Sequence, residues 1–405
     1  MLTDHREHLY AISPSDLAIY DRVLPEKSLL LDALDEVDWS EFEQLVFACY
    51  VPGAGQSAYP PLRMLKIEFL SYLYGLSDRQ VIERASTDIL FRYFLQIGLM
   101  APLPDPSSLT RFRARLGVKN FGKIFDLLVS QARKRGLVKD RLRLTDASHV
   151  IASIAVPNTL GLLAQLRDRM LNVIGSLSVA DADGFRIKMK SIRDEEDSSD
   201  ASARLQNRIT LVSSMLDWIN DHLGNNPANQ TPEILSVRDL ATKILRESRD
   251  PSLKDRTLSV VDPDARTGFH HGFYTGYAVN IMVDADSGLV TTMDVVASNA
   301  DEARTSVALV KHEEEVQGND IESLSIDGIG FHGPTLRELE EYASVRKEHS
   351  MVERTLNELL NHYGGRRARY WGVAKTKIQE LLAGTVMNMK RMMRMNRVQA
   401  KICVA

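Results

Sequence analysis

Hydrophobic and polar positions alternate between two periods along this chain. From Pro60, apolar residues recur at Leu62, Leu65, Ile67, Phe69, Leu70 and Leu73 up to Gly75, a largely apolar helical face. Pro60-Pro61 suits the start of that helix. Ser77, with Gln80 three residues on, is a capping-box signature for a second helix carrying Val81, Ile82 and Ala85. Another apolar cluster, from Ile89 to Ile97, runs to Gly98. After the proline-rich stretch Pro102–Pro106, Ser107 or Ser108 can cap a short helix, Leu109–Leu116, and a longer helix covers 119–136. Residues 1–55 read as helices and loops closing at Pro52-Gly53-Ala54-Gly55.

The period changes at Arg141. The run Arg141 to Asp146 alternates like a strand and brings Asp146 near its end. Helical periodicity returns over 159–179, 203–223 and 232–247, with an acidic exposed turn at 194–200. Tyr277–Asp284 and Leu289–Ala297 flank Ser287-Gly288 as a hairpin. A helix over 301–316, a strand over Ile321–Asp327, a short helix over Pro334–Tyr342 and a helix over Met351–Tyr363 complete the pattern. No internal repeat or low-complexity tract interrupts it. The prediction is a mixed α/β chain preceded by an all-helical segment.

Composition adds bounds. The 405 residues are 44% hydrophobic and 26% charged, ordinary for a soluble globular chain of two or three domains. The two cysteines, Cys49 and Cys403, lie far apart, against a disulfide framework or a cysteine zinc site. The polar N-terminus lacks the apolar core of a secretory signal, and no stretch reaches the ~18 apolar residues of a membrane span, so a cytoplasmic protein is expected.

The net charge of −4 hides a strong segregation. Residues 26–47 carry Glu26, Asp32, Asp35, Glu36, Asp38, Glu41 and Glu43 against Lys27 alone. Arg366 to Lys401 carries ten basic residues against Glu380 alone, a local charge near +9. Such a field suits a polyanion, although a charge run is also the ordinary make-up of a solvated face. The methionines between Met387 and Met395 have the spacing of helix packing. Arg111, Arg113 and Arg115 give the Leu109–Leu116 helix a basic character that fits a helix-turn-helix-like DNA reader, or else a small helical bundle with a wet face.

Asp146 and Asp327 end separate strands, and Glu353 lies in the first turn of a helix. Hard divalent ions take carboxylate oxygens, and two such ions serve phosphoryl transfer. Other chemistry has less support. His270-His271 near Asp262 and Asp264 lack a metal-ligand spacing, and His149 reads as a packing or DNA-proximal residue. Asp284, Asp286 and Asp301 read as turn and cap residues, and neither a phosphate-binding GxxxxGK[ST] loop nor a nucleophile elbow is present.

The wording around these residues resembles DDE-type insertion-sequence transposases. TDASHVIASI resembles the first-Asp strand, VVDPDARTGFHHGFYTGYAVNIMVDADSGLVTTMDVVASNADEA the middle block, and LSIDGIGFHG the second-Asp strand. RKEHSMVERTLNELLNHYGGRRARYWGVAKTKIQELLAGTVMNMKR is similar to the Glu helix and its basic continuation, and 60–120 to the helical domain ahead of catalysis. The resemblance implies an RNase H-like core over 137–156 and 255–382, interrupted by a helical insertion at 157–254. A DNA-binding domain over 1–120 would precede it, and a basic, Met-rich helix over 383–405 would follow. It implies Asp146, Asp327 and Glu353 as a triad for Mg²⁺ or Mn²⁺, with Arg346, Arg354, Arg366, Arg367, Arg369, Lys375 and Lys377 on DNA beside Arg111, Arg113 and Arg115. The implied activity is hydrolysis at double-stranded transposon ends, then attack of the freed 3′-OH on target DNA. A homodimer is implied, because two ends must be paired, and association with the nucleoid when DNA is bound. One departure stands out. Only 25 residues separate Asp327 from Glu353, a shorter stretch than in the relatives, and Leu359-Leu360 stand where a basic residue is expected. The alternative is therefore a catalytically impaired DNA-binding relative.

Overall fold

Side-chain caps set the helices of the first segment. Ser13 and Asp16 form a capping box on α1 (Pro14–Val23), Ser28 caps α2 (Leu29–Glu36), and Asp38 caps α3 (Trp39–Phe47). The α4 helix (Pro61–Tyr74) starts behind Pro60 and stops at Gly75, whose φ of 64° is the left-handed ending glycine allows. The Ser77–Gln80 capping box opens α5 (Asp78–Thr87), and Asp88 caps α6 (Ile89–Phe94). The two helices expected over 109–116 and 119–136 both form and meet end to end as α7 (Ser107–Lys134), parted at Gly117 with φ 64° and ψ 173°.

The computed structural model describes residues 9–51, 58–196, 200–225, 229–250, 252–269, 272–326, 343–344 and 349–404. These fall into two units: Met1–Ile151, Ala278–Val296 and Ala300–Ala405 form the first, and Ala152–Tyr277 with Ala297–Asn299 the second.

In the first unit, β1 (Arg143–Ile151) runs parallel to β5 (Ser323–Ile326), with Thr145 opposite Ile326. β5 runs parallel to the short β6 (Ala343–Ser344). The sheet continues from β1 to β3 (Phe273–Asp284), which pairs with β4 (Val290–Ala297) across the expected hairpin. The α12 helix (Glu302–Gln317), capped by Asp301, packs Leu309 and Val310 against Met282, Leu324 and Ile326. Two helices close this unit. The α13 helix (His349–His362) packs along β1, and α14 (Val373–Val404) lies against α7 and α4. Met387, Met389, Met392 and Met393 are buried there, so these methionines are packing.

The pattern underestimates α4. Burial extends beyond its largely apolar face to Lys66 and Glu68. The Lys66 ammonium sits 4.7 Å from the Trp39 ring centre and donates to Gln96 at 3.0 Å. Burial holds its pKa down at about 7.

The second unit is a helical bundle: α8 (Thr159–Leu177), α9 (Val179–Glu196), α10 (Ala201–Asn225) and α11 (Pro232–Arg249). Leu166, Met170, Ile174, Met215, Ile219, Val237, Ala241 and Ile244 form its core. The acidic turn expected at 194–200 begins inside α9, whose last residue is Glu196; 197–199 lie outside the described residues. The start of β3 pairs here with the antiparallel β2 (Arg266–Phe269).

Candidate functional site

β1 and α13 bring two of the three expected carboxylates onto neighbouring elements. Asp146 is half-buried on β1, and its Oδ1 accepts the Ala147 amide at 2.8 Å. Glu353 is exposed on α13, the helix packed along β1. Asp327 and Arg346 lie outside the described residues. Among the described residues no group of three or more His, Cys, Asp or Glu side chains converges as a metal site. Arg354 is exposed beside Glu353, and its Nε donates to Ser350 O one turn back at 2.9 Å.

The loop between α13 and α14 joins the end of β1. The Ile151 amide donates to Arg366 O, and the Ala368 amide donates to Ile151 O, both at 2.9 Å. Ile151 and Arg367 thus form a parallel bridge. Arg366 Nη1 reaches His149 Nε2 at 3.2 Å. A guanidinium only donates, so this nitrogen of His149 is the acceptor. Arg367 and Lys375 are exposed. The Arg369 guanidinium stacks 4.9 Å from the Tyr72 ring centre. Lys377 forms a 2.6 Å ion pair with Asp294.

The three arginines of α7 do not share a face. Residues two apart on a helix point about 200° apart. Arg111 is exposed, with its guanidinium near the Ser107 and Ser108 hydroxyls. Arg115 lies 4.3 Å from the Tyr50 ring centre. Arg113 is only 6% exposed and corrects the expectation of a DNA contact. It binds Glu68 at 2.8 Å and Asp78 at 2.5 Å, and its guanidinium lies 5.2 Å from the Tyr370 ring centre. Burial works against the Arg113 charge, yet Glu68 and Asp78 raise its pKa above the ordinary arginine value. Glu68, fully buried, is pushed up to about 7 by lost hydration despite Arg113.

The charge segregation is partly internal pairing. Arg397 of the basic stretch pairs with Asp32 of the acidic one, while Glu36 and Glu41 pair with Arg135 and Lys134. Arg391 pairs with Glu358 at 2.8 Å. The basic field therefore narrows toward exposed positions such as Arg367, Lys375 and Arg394.

Two residues carry geometry the sequence pattern misses. Gln379 and Glu380 are fully buried behind the 364–370 loop. The only signal for Glu380 is that it is the single acid in a basic run. Asp262 is buried under the Tyr277 hydroxyl at 2.5 Å, and His270 and His271 lie outside the described residues. A cavity of about 810 Å³, lined by Phe125, Met293, Leu309 and His312 among others, shares Lys377 alone with the candidates among the described residues.

Residues 18–115, 98 of the 405, match a family model described as Transposase domain (DUF772). The match ties this helical segment to transposases, enzymes whose substrate in general is DNA. No curated protein and no solved structure matches the chain. Among the described residues no helix is long and apolar enough to cross a membrane.

Proposed function

We propose that the chain is a DDE-type transposase whose sheet is an RNase H-like core, acting as a homodimer on the double-stranded ends of its element and on target DNA. One observation carries this most. On the parallel strands β1 and β5, Thr145 pairs with Ile326, and the residues that follow them in sequence are Asp146 and Asp327. The Glu353 helix packs along the same β1.

The donor set fits a hard divalent ion, since carboxylate oxygens are its preferred ligands and both Asp146 and Glu353 retain solvent access. Asp146, Asp327 and Glu353 would hold Mg²⁺ or Mn²⁺, which lends positive charge to oxygens at the scissile phosphate when bound. Arg346, Arg354, Arg366 and Arg367 offer guanidinium groups to flanking phosphates, a pairing suited to bidentate contact. In the first step, a water oxygen bonds to phosphorus and the bond to O3′ breaks, leaving a 3′-OH and a 5′-phosphate. In the second, that 3′-OH attacks a target phosphate and displaces the target's own 3′-oxygen.

The 25-residue interval between Asp327 and Glu353 favours a second reading, a relative that binds DNA without cutting it. One experiment separates them. Terminal-repeat DNA is offered to the protein in Mg²⁺ and Mn²⁺, with gel-shift and nicking assays in parallel. Nicking that disappears in Asp146→Asn and Glu353→Gln while binding persists is the expected result. Binding with no nicking by the unmodified chain supports the second reading, and nicking retained in Asp146→Asn refutes the site.

A further inference from the structure

Gln379 bonds three times to the backbone of one short loop. Its Oε1 accepts the Arg369 amide at 2.7 Å, and its Nε2 lies 3.2 Å from Gly364 O and 3.0 Å from Arg367 O. It is fully buried, as is Glu380 behind it. Gly364 takes a φ of 77°, and a Cβ on Gly365 would come 2.5 Å from Glu380 Oε2, so the loop is fitted closely onto α14. The other side of the loop is bonded to Ile151 at the end of β1. Held between these two supports, Arg366 meets His149, three residues beyond Asp146 on the same strand.

We propose that Gln379 is a positioning residue for DNA: it fixes the 364–369 backbone so that Arg366 and Arg367 present a phosphate-binding pair beside the Asp146 strand. The proposal rests on the DNA reading above and adds a residue that touches no DNA itself. The chemistry requires an amide. Only a side chain with both an N–H donor and a carbonyl acceptor can satisfy the Arg369 N–H and the two loop carbonyls together. Methionine fills the same volume and offers neither. Glutamate keeps the acceptor but not the donors.

The test uses the full chain and measures end-DNA affinity against salt. Each phosphate that the protein no longer neutralises lowers the slope of log K against log salt by about 0.9. Gln379→Met is expected to lower the slope by about 2, matching Arg366→Ala/Arg367→Ala, and to add little when combined with that pair. Hydrogen exchange is expected to rise in peptides covering 364–370 and 147–152, while 380–393 stays protected. A Gln379→Met protein with the unmodified slope, or one whose effect adds fully to that of the arginine pair, overturns the proposal. If Gln379→Met does not fold, Gln379→Glu is carried through the same measurements with the same expected and overturning results. An unmodified chain without salt-dependent DNA binding instead overturns the DNA reading. In that case unchanged loop exchange in the variant rejects the fixing role as well.

Discussion

Glu380 makes the stability of this protein depend on a proton held behind the basic loop. The side chain is fully buried, and lost hydration pushes its carboxyl from 4.5 up to about 8, with Arg369 and the Gln379 hydrogen bond offsetting part of the rise. The folded value lies above the unfolded one, so the folded state binds the extra proton between them. Its contribution is complete below about pH 4.5 and is lost as the pH rises through 8. At 1.36 kcal/mol per pH unit, keeping the proton costs about 3 kcal/mol at pH 7 and about 1 kcal/mol at pH 5, a change of roughly 2–3 kcal/mol. Glu380→Gln retains an acceptor for Gln379 Nε2 and cannot ionise. Urea unfolding of both proteins at pH 5, 6, 7 and 8 isolates the effect, because every other titrating group is shared. Relative to the unmodified chain, the variant is expected to gain about 2–3 kcal/mol between pH 5 and pH 7 and more by pH 8. A difference between the two proteins that does not change with pH refutes the assignment of a held proton to Glu380.

Two further perturbations test the buried charges of the first segment. Arg113→Met strands Glu68 in the interior and is expected to cost about 3–5 kcal/mol in thermal or urea unfolding, with part recovered by adding Glu68→Gln. Burial sets the Lys66 ammonium at about 7, below its unfolded 10.5, so its cost is full below pH 7 and fades as the pH climbs toward 10.5. Lys66→Met is accordingly expected to stabilise by about 2–4 kcal/mol at pH 6 and by little at pH 10.

Local structure was legible in the sequence wherever a local interaction determines it. The Ser77–Gln80 box and the Gly75 stop act within one turn, and both appear at those positions. Long-range placement was not legible. Nothing in the spacing of Arg111, Arg113 and Arg115 says that Glu68, 45 residues earlier, captures the middle one. Helical geometry does say that the middle one must leave the face of the other two. The segregated charge was visible, but its internal pairing, as in Arg397 with Asp32, depends on α14 packing back near α2. The carboxylates stood out by the wording around them, although Asp146, expected near a strand end, lies inside β1, which runs on to Ile151. The Gln379 support behind the neighbouring loop did not, because its partners are backbone groups 10 to 15 residues earlier in the chain and leave no periodic signal.

The same loop also explains why the transposase-like segment and the Asp146 strand belong in one unit. Arg369 stacks on Tyr72 of α4, and Tyr370 lies under Arg113 of α7. Tyr72 and Arg113 fall within the 18–115 match, while Ile151, bonded to the loop from the other side, ends β1. The loop is therefore a physical joint. A helical segment matching a transposase domain and a strand carrying a candidate catalytic carboxylate hold the same seven residues, 364–370. The Glu68–Arg113–Asp78 cluster sits on the side where α7 meets this joint, and it is expensive to break. Arg113 is buried between the two sides of this joint, paired with Glu68 and facing the Tyr370 ring. It ties the helices within the 18–115 match to the 364–370 loop through Tyr370.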